Sequence, residues 1–136
     1  MIIPYVLYED VGAALEFLER AFGFREVLRW TGDDGRVGHA EARLGDSVLL
    51  MGSPGPDYRN PRHTGVEHVM LVAEVDDVDA HYERAKAAGA TILAEPHEES
   101  YGDYQYRVED LEGYRWEFGK RVRDVAPEDW GAVTPA

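Results

Sequence analysis

The chain nearly repeats itself. The segment DVGAALEFLERAFGF, opening at Asp10, is matched by DVDAHYERAKAAGAT, opening at Asp77. Asp10, Val11 and Ala13 correspond to Asp77, Val78 and Ala80 at one constant offset, close to half the chain. Each segment starts with an aspartate, whose side chain can accept hydrogen bonds from the free N–H groups of a first helical turn. Each closes on a glycine, Gly23 or Gly89, suited to the left-handed conformation that ends a helix. Between these signals Val11, Ala14, Leu15, Leu18 and Phe22 recur at helical spacing, as do Val78, Tyr82 and Ala85. A duplicated helix restricts the chain to folds made of two copies of one unit.

The flanks repeat as well. A strand-like run precedes each helix, IIPYVLY in one half and VEHVMLVAEV in the other. Three short strands follow the first helix, at Arg25–Trp30, Arg36–Arg43 and Ser47–Met51. Three follow the second, at Thr91–Ala94, Tyr104–Glu109 and Tyr114–Phe118. Asp33-Asp34-Gly35, Gly45 and Gly113 supply hairpin turns. The order is β-α-β-β-β, twice, an α+β class. The first module takes residues 1–52 and the second 66–120. Residues 53–65, rich in Pro and Gly, read as an exposed linker, and residues 121–136 as a polar tail with Trp130 as its anchor.

The net charge of −13 repels phosphate backbones and anionic lipid, which argues against nucleic acid and membranes as partners. No run of roughly 18 apolar residues occurs, the length a membrane span requires. The start MIIPYVLYED has neither the basic residues nor the cleavage site of a signal peptide. Cysteine is absent, so there is no disulfide framework and no thiolate metal site, and a cytoplasmic location is expected.

Strand alternation assigns the faces. Val69, Leu71, Ala73 and Val75 form an apolar face; His68, Met70, Val72 and Glu74 form the other. In the last strand Trp116 and Phe118 oppose Arg115 and Glu117. In the third, Gly38, Ala40 and Ala42 permit close helix approach, while Val37, His39, Glu41 and Arg43 share the opposite face. Glu41, His68 and Glu117 are thus expected to face away from the helices. Arg115 or Arg43 would supply a basic partner for them. Tyr101 and Tyr104 flank Gly102 at a turn and pair a flat apolar body with a polar tip, as suits a planar ligand. Trp30 and Trp116 read as core, His81 as a helix-surface residue, and His63 and His97 as loop residues.

The paired modules, with the stretch YGDYQYRVEDLEGYRWEF at Tyr101–Phe118, resemble the vicinal oxygen chelate superfamily of glyoxalase I, bleomycin resistance proteins and extradiol dioxygenases. The likeness covers residues 1 to 123 and is greatest to small bacterial glyoxalase/bleomycin-resistance proteins. Leu111 departs from the proline common there, at a cost in turn rigidity only. The resemblance implies a curved, cup-shaped mixed sheet with helices outside, and a homodimer in which modules pair within or between chains. It also implies four metal ligands on four strands. Glu41, His68 and Glu117 match three of them; the first-strand window Ile3-Pro4-Tyr5 offers none.

Two functional expectations follow. One is a homodimeric binding module that sequesters a planar, cationic small molecule in an acidic, tyrosine-lined cleft, with Tyr101, Tyr104, Arg115, His39 and Met70 as ligand-contacting residues. The other is a lyase, isomerase or dioxygenase using a divalent metal (Ni, Zn, Mn or Fe) on Glu41, His68 and Glu117. In that reading Glu117 also serves as the catalytic, proton-moving group. The missing first ligand favours the binding module.

Overall fold

The computed structural model describes residues 1–136. The first module contains β1 (Tyr5–Leu7), α1 (Val11–Phe22), β2 (Arg25–Thr31), β3 (Val37–Leu44) and β4 (Ser47–Gly52). One turn of helix, α2 (Pro61–Thr64), lies between the modules. The second module contains β5 (Leu71–Glu74), α3 (Val78–Ala87), β6 (Thr91–Glu98), β7 (Asp103–Glu109) and β8 (Arg115–Arg121). A 3-10 turn, Pro127–Trp130, lies in the tail. The strand orders β1-β4-β3-β2 and β5-β8-β7-β6 are the same arrangement twice. In each sheet the first strand runs parallel to the last and the other neighbours are antiparallel. The caps act as the sequence predicts: Asp10 and Asp77 each accept a backbone N–H, from Ala13 and Ala80, at 3.0 Å.

The helices hold the modules together. All five periodic apolar residues of α1 are buried, and so are Phe17 and Ala21. That is too many for one sheet to cover, and the surplus meets the second module. The Phe22 ring lies 4.8 Å from Phe118 and 5.7 Å from Trp116, centroid to centroid. The result is a single core of 21 buried residues drawn from both modules. Polar contacts close the seam. Arg84 of α3 donates to the carbonyls of Glu19 and Arg20 at 2.7 and 3.0 Å, placing a cation at the negative end of α1. His81 is not a surface residue: Nε2 donates to Phe22 O at 2.8 Å, and Nδ1 lies 2.6 Å from the Tyr106 hydroxyl. A carbonyl can only accept, so Nε2 carries the proton and a neutral ring leaves Nδ1 to accept from Tyr106.

The linker is also tied down more firmly than its composition suggests. Asn60 is buried, and its amide donates to Glu112 Oε1 at 2.9 Å. The same carboxylate accepts the N–H groups of Glu9 and Asp10, at 2.6 and 2.9 Å. The turn Asp110–Gly113 of the second module therefore clamps the start of α1 and the linker together. Asp110 is buried beside it, accepting from Tyr8 OH at 2.7 Å and Trp116 Nε1 at 3.1 Å.

The two sheets do not join within one chain, since no strand of one pairs with a strand of the other. Their inner faces are turned to the helices and to the shared core. Their other faces are open and carry Tyr5, Leu7, Leu28 and Trp30 on the first sheet and Val72 on the second. The strand expected over residues 66–75 is paired only from Leu71 to Glu74; the residues before it run past the end of β8.

Candidate functional site

On the open face of the first sheet, register sets Leu28 and Leu50 beside Glu41, and Trp30 beside His39. His39 Nδ1 lies 2.9 Å from Tyr5 OH on β1, and His39 Nε2 lies 3.5 Å from Glu41 Oε1. Trp30 is 62% exposed. Its indole lies across Gly38, where an added Cβ would come within 2.7 Å of the ring. Gly38 is the extra residue of a bulge between β2 and β3, so the platform depends on glycine. The expectation that Trp30 is core fails because Trp30 lies on the open face of the sheet, on the edge strand β2. Trp116, on a central strand, is buried as expected.

Tyr5 also lines a groove of about 620 Å³ between β1 and the segment that leads into β5. Its walls include Leu7, Tyr58, His68, Val69 and Tyr114. Tyr58 and Tyr114 share a hydroxyl hydrogen bond, and Tyr114 OH donates to Leu7 O at 2.5 Å. A volume of this order suits a drug-sized molecule. His68 belongs as well to a more polar hollow of about 600 Å³ together with Met70, Glu109 and Arg115. Three of the sequence-predicted residues are therefore brought together there. The Arg115 N–H donates to Glu67 Oε2 at 2.8 Å, while burial raises the Glu67 carboxyl pKa above its ordinary value.

Glu117 lies on the face opposite Trp116 and Phe118, as alternation predicts, but it is not solvated: its residue is 7% exposed. Oε1 accepts from Gln105 Nε2 at 2.8 Å and Arg107 Nε at 2.9 Å. Arg107, opposite Glu117 on β7, is the basic partner in place of Arg115 or Arg43. The carboxylate hydrogen bond raises the Arg107 pKa further. Gln105 Nε2 also donates to Tyr101 OH at 3.1 Å, so Tyr101 continues the same chain. Tyr104 does not: its neighbours on β7 alternate, and its hydroxyl donates to Asp79 on α3 at 2.5 Å, on the helix side. His97, between Glu95 O at 2.8 Å and Glu99 Oε1 at 2.7 Å, has its pKa raised by the backbone carbonyl first and the carboxylate second.

Within a chain no three His, Asp or Glu side chains converge as a metal-binding group. Glu41 and Glu117 lie on different sheets, and Glu117 already serves a guanidinium and an amide. The donor set of one chain does not fit a divalent metal. Arg107, Gln105 and Trp30 were not named from the sequence as site residues. Alternation places Gln105 and Arg107 on opposite faces of an ideal strand from Tyr104 and Tyr106, and that signal was available for both.

A protein-family model for the Glyoxalase/Bleomycin resistance protein/Dioxygenase superfamily matches residues 4–118. An uncharacterized protein of Mycobacterium bovis is 31% identical over 127 residues, which is 90% of this chain and 84% of that one. Among solved structures, TioX from Micromonospora sp. ML1 superposes with a TM-score of 0.73 at 31% identity, covering 89% of this chain and 98% of its own. Lactoylglutathione lyase from Agrobacterium tumefaciens gives a TM-score of 0.65 at 25% identity, covering 88% and 91%. Two β-α-β-β-β modules, the matched residues and these likenesses agree: the chain belongs to the Glyoxalase/Bleomycin resistance protein/Dioxygenase superfamily.

Proposed function

We propose that this protein is a small-molecule binding module that sequesters a planar, cationic ligand, a reading supported by a family whose description includes bleomycin resistance proteins. The observation that carries the reading is the Trp30 indole, exposed on its Gly38 platform on the same sheet face as Glu41. An open aromatic plane attracts a flat cation through its ring face, and a nearby carboxylate adds charge attraction. Tyr5, Leu7 and Leu28 supply apolar surface around it.

The ligand cleft is completed by a second copy. Each chain leaves Tyr5, Leu7, Leu28 and Trp30 uncovered on the open face of the first sheet and Val72 on that of the second, and a contiguous apolar patch like that of the first sheet marks an interaction surface. A homodimer that sets the first-sheet face of one protomer against the second-sheet face of its partner covers both pairs at once, as a two-fold arrangement requires. Sedimentation velocity at tens of micromolar tests this part. A species of twice 15.3 kDa is expected, and a monomer contradicts it.

A further inference from the structure

Residues 122–136 lie beyond the repeat and beyond the region that the family model matches. This segment turns back across the β6–β7 turn. The N–H groups of Val122 and Arg123 both donate to Gly102 O, at 2.9 and 3.1 Å. The crossing is close: a Cβ on Gly102 would stand 2.0 Å from Arg123 O, and Gly102 has φ +96°. Only glycine suits both demands. Arg123 Nε adds a contact to Glu98 Oε1 at 2.7 Å. From there the chain reaches the 3-10 turn Pro127–Trp130, whose backbone hydrogen bonds stay within the tail.

What this turn offers the body of the protein is the Trp130 ring. Its centroid lies 5.6 Å from that of Tyr101, tilted by 57°, and Trp130 remains 44% exposed. Beneath it, Tyr101 is fixed by Gln105, and Gln105 by Glu117. The tail thus packs an indole at a tilt against the aromatic ring at the end of the polar chain that leads to Glu117. A single aromatic pair biases a population by only about 2- to 10-fold. Trp130 is therefore held by an interaction that another flat ring can replace.

We propose that the ring face of Tyr101 is a stacking subsite for a planar ligand, and that Trp130 occupies it at rest as an internal stand-in. This rests on the ligand-binding reading above. A bound planar molecule takes the place of the indole, and the tail swings off the second sheet while Gly102 keeps its root in place.

The test compares wild type, Trp130→Ala, Trp130→Phe and Trp30→Ala by two measurements. The first is nitration of Tyr101 by tetranitromethane, followed by peptide mass spectrometry. The second is titration with the planar cation proflavine. Trp130→Ala is expected to nitrate faster at Tyr101 and to bind proflavine about 2- to 10-fold more tightly, the bias that the lost pair supplied. Trp130→Phe is expected to stay near wild type in both. Equal nitration rates in wild type and Trp130→Ala overturn the proposal, as does equal or weaker proflavine binding by Trp130→Ala. If Trp30→Ala loses binding while Trp130→Ala changes nothing, the ligand face stands and the tail has no part in it. If neither wild type nor Trp130→Ala binds proflavine, both the ligand reading and the stand-in fall.

Discussion

Arg107 Nε lies 2.9 Å from Glu117 Oε1, because strands β7 and β8 set the two residues directly opposite one another. The pair explains how a carboxylate is accommodated on the last strand at low exposure. It also orders two substitutions. Arg107→Met leaves the carboxylate with the Gln105 amide alone and is expected to cost about 1–2 kcal/mol, discounted because the guanidinium is half exposed. Glu117→Gln keeps an acceptor for both donors and is expected to cost less, about 0.5–1 kcal/mol. Urea unfolding midpoints give the order; Glu117→Gln as the more damaging change contradicts it.

Glu112 is the acceptor on which the inter-module clamp depends. Glu112→Ala strips the partner from the N–H groups of Glu9 and Asp10 and from the Asn60 amide. A loss of about 2–4 kcal/mol is expected, since several donors are left unsatisfied in a region of low exposure. Denaturant unfolding that shifts by less than about 0.5 kcal/mol would place the modules' union in the apolar seam alone.

His81 and Asp110 make opposite contributions to the pH dependence of stability. Burial lowers the His81 pKa below its ordinary value of 6.5. The stability it contributes is whole above 6.5 and is lost as pH falls through the lowered folded value, when protonation breaks the contact with Tyr106. Burial raises the Asp110 pKa from 3.8 to about 6, so acidification from about 6 toward 3.8 adds stability instead. Between those limits the wild-type curve is a balance. Asp110→Asn should lose stability more steeply on acidification than wild type, and His81→Gln less steeply. Unfolding free energies from pH 7 to pH 4 check both slopes, and parallel curves for all three proteins would contradict the assignment.

Gly38→Ala tests the platform without touching the indole. The added methyl meets the Trp30 ring at 2.7 Å, and the ring is on the surface, so it lifts rather than unfolding the sheet. Stability is expected to change by less than about 1 kcal/mol. Trp30 emission is expected to shift to the red as the ring loses its bed. An unchanged spectrum would show that the indole does not rest on Gly38.

Most of the fold was legible because it is written locally and twice. Asp10 and Asp77 cap, the glycines stop, and Trp116 and Phe118 alternate with charged neighbours, all within a few residues. What escaped depends on contacts between distant parts of the chain. His81 reads as a surface residue until Phe22 and Tyr106 are brought to it from the other module and the neighbouring strand. Asn60 sits in a Pro- and Gly-rich stretch, and only Glu112 makes it a buried anchor. The face of Glu117 was readable by alternation; its burial was not, because the covering comes from side chains on β7 and the turn before it. Trp30 misled in the other direction: a strand aromatic is usually core, but a bulge on an edge strand left this one outside.

In the proposed function, the open face of the first sheet binds a flat cation through Trp30 and Glu41. Calorimetric titration of proflavine, a planar cation at neutral pH, against its uncharged parent acridine tests it most directly, with Trp30→Ala and Glu41→Gln alongside. Proflavine is expected to bind more tightly than acridine. Trp30→Ala should weaken both by roughly 1–2 kcal/mol, and Glu41→Gln should weaken proflavine alone by about 0.5–1.5 kcal/mol. Equal binding of the two dyes by wild type, or binding that survives Trp30→Ala unchanged, would contradict the account.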